Sequence, residues 1–182
     1  MESSENVLSY EGIIFFIGFM GCGKTRLGKK IANKYNRPFI DMDALIEEQT
    51  GQTISQLFVQ FGEAGFREIE SQTLQNSNFP TNAIVSTGGG APCFYDNINW
   101  MNAHGLTMFL DTPTPILASR LMNAKTERPL ITGKSHEELM DFITTKLQER
   151  KPFYQQAKIL LTQADISPEM VVEAIVNYSF KK

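Results

Sequence analysis

Cysteine is scarce in this 182-residue chain: Cys22 and Cys93 stand far apart, without metal-ligand spacing or the density of a disulfide scaffold. Both are expected as free thiols, which fits a cytoplasmic location. No apolar stretch is long enough to cross a bilayer, and the longest, residues 12–20, lacks the basic flank and cleavage site of a signal peptide. Neither sign of charge dominates. With 17 Lys and Arg against 20 Asp and Glu the net charge is −3, so neither nucleic acid nor membrane is indicated as a partner and any anion site must be local. Internal repeats, low-complexity tracts and Pro/Gly/Ser-rich linkers are missing too, and with them any reason to divide the chain.

What is present suits one domain over residues 1–182: 42% hydrophobic content, enough for one continuous core, behind a polar, aperiodic leader at 1–10. No broad exposed apolar stripe is evident, so a monomer is expected. Short runs rich in Ile, Val and Phe alternate with segments of helical period, the pattern of βα units winding a parallel sheet covered on both faces. Strands are expected at 12–17, 38–40, 83–86, 106–110 and 158–162. Helices are expected at 24–35, around Ile54, Leu57, Phe58 and Phe61, around Leu139, Phe142, Ile143 and Leu147, and from Pro168 to Tyr178. Thr53 with Gln56 and Ser135 with Glu138 fit capping boxes, and Ser167-Pro168 places a cap before an N1 proline.

Directly after the first strand comes Gly18-Phe19-Met20-Gly21-Cys22-Gly23-Lys24-Thr25, a complete G-x-x-x-x-G-K-[ST] that opens into a helix. Average residue usage gives roughly a 1% chance of such a match in a chain this long, before strand and helix flanks are required. Glycines let the backbone turn its N–H groups toward phosphate oxygens, and the helix N-terminus adds positive potential. Lys24 would neutralise the β- and γ-phosphates of ATP, and the Thr25 hydroxyl would ligate Mg²⁺. Cys22 has no base placed for nucleophilic chemistry and is read as part of the loop's geometry.

The second strand ends in Asp41-Met42-Asp43. At i and i+2 in extended geometry both carboxylates point the same way, and in a parallel neighbour of the first strand they would face the phosphate loop. Asp41 is assigned to the metal, through water, and Asp43 to the acceptor hydroxyl as base. The plainer reading has Asp43 as a helix cap and Asp41 as a solvated loop residue. No acidic residue closes the third strand, which leaves the metal role to Asp41. After that strand, Gly88-Gly89-Gly90 removes three side chains and lets a ligand approach backbone amides. Arg67 and Glu70 fall at i, i+3 on a helix, where an exposed ion pair is the plainer reading. Arg128 lies in a polar, lid-like stretch at 123–134, and Arg150 ends an amphipathic helix. Together the arginines suit a carboxylate and a transferring phosphate.

These pieces, with Gly62-Glu63, Phe66 and Arg150-Lys151-Pro152-Phe153-Tyr154, occur in an order and spacing that resembles the shikimate kinase family over nearly the whole chain. The resemblance implies a three-layer α/β P-loop kinase fold of the NMP-kinase type, with five parallel strands, helices on both faces and a mobile lid. It also implies Mg²⁺-ATP-dependent phosphorylation of the shikimate 3-hydroxyl on the route to chorismate and the aromatic amino acids. Carried over by position, Asp43 and the Gly88–Gly90 run hold the ring, Arg67 and Arg150 grip its carboxylate, and Glu70 orients Arg67. Arg128 meets the phosphates from the lid, and Arg120 with the loop from Gln163 to Pro168 flanks the adenine. Ile131 departs from the family's usual leucine in the lid motif, and the leader precedes its usual start.

Two other readings compete. A gluconate kinase-like enzyme would share the phosphate loop but need no arginine pair for a ring carboxylate. A regulatory nucleotide-binding module would bind without transfer. No Asn-Lys-x-Asp occurs to support a GTPase switch, and every group that transfer requires is present.

Overall fold

A computed structural model of the chain describes residues 8–124 and 130–180. Five strands, β1 (Ile13–Ile17), β2 (Phe39–Asp41), β3 (Ile84–Ser86), β4 (Gly105–Asp111) and β5 (Ile159–Thr162), form one wholly parallel sheet in the order β2-β3-β1-β4-β5. Among the described residues seven α-helices accompany it: α1 (Lys24–Lys34), α2 (Met42–Thr50), α3 (Ile54–Asn76), α4 (Asn97–His104), α5 (Thr114–Met122), α6 (His136–Tyr154) and α7 (Pro168–Ser179). All five expected strands are there within two residues of their expected ends. Helices α2, α4 and α5 were not anticipated, because each is only eight or nine residues long and too short to display a clear apolar stripe.

Strand alternation sorts the core into two layers. Ile14 and Phe16 of β1 face Leu27 and Ile31 of α1, Leu117 of α5, and Val171 and Ile175 of α7. Phe15 and Ile17 point the other way, toward Leu74 of α3 and Ile98 and Met101 of α4. Helix α6 takes part in both: Leu139 and Ile143 join the first cluster and Tyr154 the second. The end of α6 therefore lies beneath the loops at the carboxyl ends of the strands. A smaller cluster of Ile46, Leu57 and Phe66 locks α2 against α3.

Strand order, which one sequence does not give, is fixed by the fold. The second strand does not pair with the first, because β3 inserts between them. Since β1 is followed outward on one side and β4 takes its other side, the chain reverses direction across the sheet at β1, and ligands in such folds bind at that point, outside the carboxyl ends. Leu8 is buried in the core, and Arg37 donates to the carbonyls of Tyr10 at 2.8 Å and Gly12 at 2.5 Å, just before β1, and to that of Asn82 at 2.5 Å, just before β3.

Both expected capping boxes form: the Thr53 hydroxyl accepts from Gln56 N, and Ser135 does the same for Glu138 N. Ser167 caps α7 ahead of Pro168. Within α3, Gly62 adopts φ 68°, ψ −178°, a conformation open essentially to glycine alone, and the helix kinks there. The kink separates the first part of α3, residues 54–61, from the part that carries Arg67 and Glu70.

Candidate active site

The phosphate loop joins β1 to α1 with Gly18, Gly21 and Gly23 at φ of 141°, 83° and 102°. Gly23 occupies the N-cap position of α1, and no side chain caps the helix. Its first amides are thereby left to an anion. Lys24 is buried and its ammonium donates to the carbonyls of Gly18 at 2.8 Å and Phe19 at 3.0 Å, which holds it across the loop. Cys22 Sγ lies 3.7 Å from the same ammonium.

Thr25 Oγ1 donates to Asp41 Oδ2 at 2.8 Å and lies 3.2 Å from Ser86 Oγ. Ser86 carries no signal as a ligand in the sequence: a hydroxyl, where an acid would stand out, closes the third strand. These three oxygens are hard ligands, and among the described residues no cluster of three or more His, Cys, Asp or Glu could hold a metal. A sparse set of oxygens fits Mg²⁺, which keeps several waters and takes substrate phosphates as ligands.

Asp41 and Asp43 reach the loop by a different route from the one expected. Asp43 is not on the strand; it lies in the first turn of α2, and Asp41 is the N-cap, accepting from Asp43 N at 3.1 Å. The strand stops here because Asp41 satisfies an orphan helix amide. Asp43 lines both the phosphate cavity of about 250 Å³ and an adjoining cavity of about 310 Å³. Met20, Gly88 and Gly89 line both as well.

The second cavity brings together Arg67, Glu70, Gly88, Gly89, Gly90 and Arg150. Arg67 and Glu70 are no exposed pair: both are buried, with Arg67 Nη1 donating to Glu70 Oε2 at 2.7 Å. Glu63 adds a contact of 3.2 Å to Arg67 Nη2. Burial acts to lower the Arg67 pKa, but Glu70 and Glu63 outweigh it and the guanidinium stays charged. Burial pushes the Glu70 carboxyl above its ordinary value, against the pull of Arg67. Arg150 lies over the Phe19 ring at 5.4 Å. Arg67 Nε, Glu70 Oε1 and Arg150 Nη1 are buried without a hydrogen-bond partner. Such atoms are costly to leave unpaired; the two arginine N–H donors suit a ligand carboxylate, and the Glu70 oxygen calls for a donor such as a hydroxyl.

The three glycines do more than admit a ligand. A Cβ on Gly88 would collide with Glu70 Oε1, one on Gly90 with the Arg67 guanidinium, and one on Gly89 would sit 3.1 Å from Met20 N. The run exists so that Glu70, Arg67 and the phosphate loop can close upon it. Thr87 anchors its start, donating from both N and Oγ1 to Phe16 O. Glu47, Ile54, Ser55, Phe58 and Leu130 complete the wall. Sequence reading missed Glu47 and Ser55, whose types and positions carry no local signal.

A third cavity of about 180 Å³ beside α1 is lined by Arg120, Leu27, Asp165, Ile166, Ser167 and Pro168 among others. Arg120 Nη1 donates to Gly21 O at 3.3 Å and Nη2 faces Asp165 at 3.8 Å. Gln163 is exposed and does not line this cavity. Arg128 lies outside the described residues, as do the other residues of the expected lid between 125 and 129.

A phosphate loop at the switch point of a five-stranded parallel sheet, opening into a cavity with two buried arginines, defines a small-molecule P-loop kinase. The family model for shikimate kinase matches residues 20–179, and the chain belongs to the shikimate kinase family. It is an ATP-dependent phosphotransferase with an alcohol group as acceptor. A shikimate kinase of Bacteroides thetaiotaomicron is 47% identical over 164 residues, covering 90% of this chain and 94% of the relative. A crystal structure of shikimate kinase from Bacteroides thetaiotaomicron superposes with a TM-score of 0.81 at 45% identity, covering 93% of this chain and 95% of that one. The shikimate kinase from Acinetobacter baumannii in complex with shikimate gives 0.80 at 29% identity, covering 93% of each chain. Among the described residues no helix is long and apolar enough to cross a membrane.

Proposed function

We propose that the chain transfers the γ-phosphoryl group of ATP to the 3-hydroxyl of shikimate, as a single-domain cytoplasmic enzyme of the route to chorismate that acts as a monomer. One observation carries this reading: the phosphate cradle and the arginine-lined cavity share a wall, and Asp43 stands on it. A hydroxyl bound in the larger cavity would meet the γ-phosphate at that wall.

In this reading Arg67 and Arg150 hold the shikimate carboxylate, with Glu70 fixing the Arg67 fork. Asp43 orients the attacking hydroxyl and accepts its proton. Lys24 and the loop amides hold the β- and γ-phosphates, and Arg128 approaches them from the lid. Thr25, with Asp41 through water, would hold Mg²⁺, which supplies neutralisation of developing phosphate charge when bound. Arg120 and the loop ending at Pro168 flank the adenine. Gln163 belongs to that loop but reaches no described cavity.

The arginine pair disfavours gluconate as acceptor, since its flexible carboxylate does not require a rigid two-sided clamp. The completeness of the transfer groups disfavours a regulatory module. A coupled assay of ADP release decides: with Mg²⁺-ATP, release is rapid only when shikimate is added. Equal turnover with gluconate, or no turnover with shikimate, sinks the reading.

A further inference from the structure

The three glycine carbonyls beside the acceptor cavity are each satisfied in a different way. Gly88 O accepts from Ala91 N at 3.2 Å and Gly90 O from Cys93 N at 2.9 Å, both within the local turn. Gly89 O instead accepts from the Tyr154 hydroxyl at 2.5 Å, across 65 residues of sequence. Tyr154 is completely buried and lines neither the phosphate nor the acceptor cavity. Its ring lies against Phe109 of β4, with centroids 4.8 Å apart. It follows Arg150 by four residues on α6, so the two side chains share one face of the helix.

Gly89 is the glycine of the run that faces the phosphate loop. A Cβ there would lie 3.1 Å from Met20 N and 3.6 Å from both Arg150 Nη1 and Gly18 O. One residue thus touches the phosphate loop and the acceptor arginine at once. Burial keeps the phenol protonated well above its ordinary range, although the Arg150 charge acts the other way. The hydroxyl is therefore a donor across the working pH range.

We propose that Tyr154 is a positioning residue for the acceptor. Its hydroxyl fixes the distance between the Gly89 peptide and Arg150, so that carboxylate grip and phosphate loop stay in register. The inference rests on the reading above, in which Arg150 and the glycine run hold shikimate.

Tyr154→Phe keeps the ring on Phe109 and removes only the donor. KM for shikimate should rise about tenfold, the scale of one lost hydrogen bond, while KM for ATP moves less than about twofold. Calorimetric titration should show the same split between shikimate and ADP. In an Arg150→Lys background the further loss from Tyr154→Phe should shrink to less than about threefold, since the two act on one contact. A purely structural tyrosine would lower the melting temperature and leave the shikimate constants unmoved, or move both substrates alike. Either result overturns the proposal, as does full additivity with Arg150→Lys. Shikimate turnover by the unaltered enzyme tests the underlying reading separately: if that turnover is present and Tyr154→Phe binds shikimate normally, only the role of Tyr154 fails.

Discussion

Glu70 holds Arg67 through a 2.7 Å contact in which the two side chains keep only 1% and 5% of their exposure. Spaced i, i+3 on an exposed helix, the same pair would contribute a few tenths of a kcal/mol. Buried, it is coupled to the fold, because removing one partner strands the other charge away from water. Glu70→Ala should therefore cost about 3–5 kcal/mol of stability, read by denaturant unfolding, and should weaken shikimate binding by freeing the Arg67 fork. A stability loss below about 1 kcal/mol would show that the pair is hydrated.

Asp43 lies on the wall common to both cavities. Asp43→Asn preserves size and removes the base, so kcat should fall by about 10²–10⁴-fold while ATP binding is unchanged. Full turnover in this variant would reject the assignment of the proton acceptor.

Gly90 leaves no room for a methyl group beside Arg67. Gly90→Ala should push the guanidinium out of place and lower kcat/KM for shikimate by about 10²-fold, with ATP affinity retained. Equal loss for both substrates would place the damage in the fold instead of the acceptor cavity.

Asp41 accepts from Thr25 Oγ1 at 2.8 Å. Chelation of Mg²⁺ should abolish turnover, and Asp41→Asn should raise the Mg²⁺ concentration for half-maximal rate by about 10–100-fold. An unchanged Mg²⁺ requirement would remove Asp41 from the metal's surroundings.

Burial pushes the Cys93 thiol up to about 11, with Arg150 and Arg67 acting the other way. An unfolded thiol titrates near about 8.5, so the folded state holds this proton more tightly. The resulting stability is fully present below about pH 8.5 and is lost as pH rises through about 11. Unfolding curves measured from pH 8 to 10.5 should show this decline, and Cys93→Ala should flatten it. An identical decline in the variant would assign it to other groups.

The positions of β1, α1 and the phosphate loop were readable from sequence because their signals are local: an apolar run, three glycines and a helical period within about two dozen residues. The five strands and the three caps were legible for the same reason. Short helices such as α2 were not, and that one omission put Asp43 on a strand when it sits in a helical first turn. Its type and neighbourhood were nonetheless enough to mark it as a candidate.

Strand order, burial and the meaning of the glycine run belong to tertiary structure alone. Nothing in the spacing of Arg67 and Glu70 says whether water reaches them; the answer depends on Phe94 arriving from elsewhere and packing with Phe58 and Phe66 of the same helix around the guanidinium. Nor does a glycine triplet reveal whether it yields space to a ligand or to the protein's own side chains. By itself the sequence determined the local chemistry, a phosphate cradle with carboxylates and arginines within reach of assembly, since those groups act through type and near-neighbour geometry. Only the folded sheet, by inserting β3 between β1 and β2, decided that Ser86, Asp41 and Thr25 meet at one point while Gly89, Arg150 and Tyr154 meet at another. Long-range contacts of that kind are set by packing, which no local pattern records.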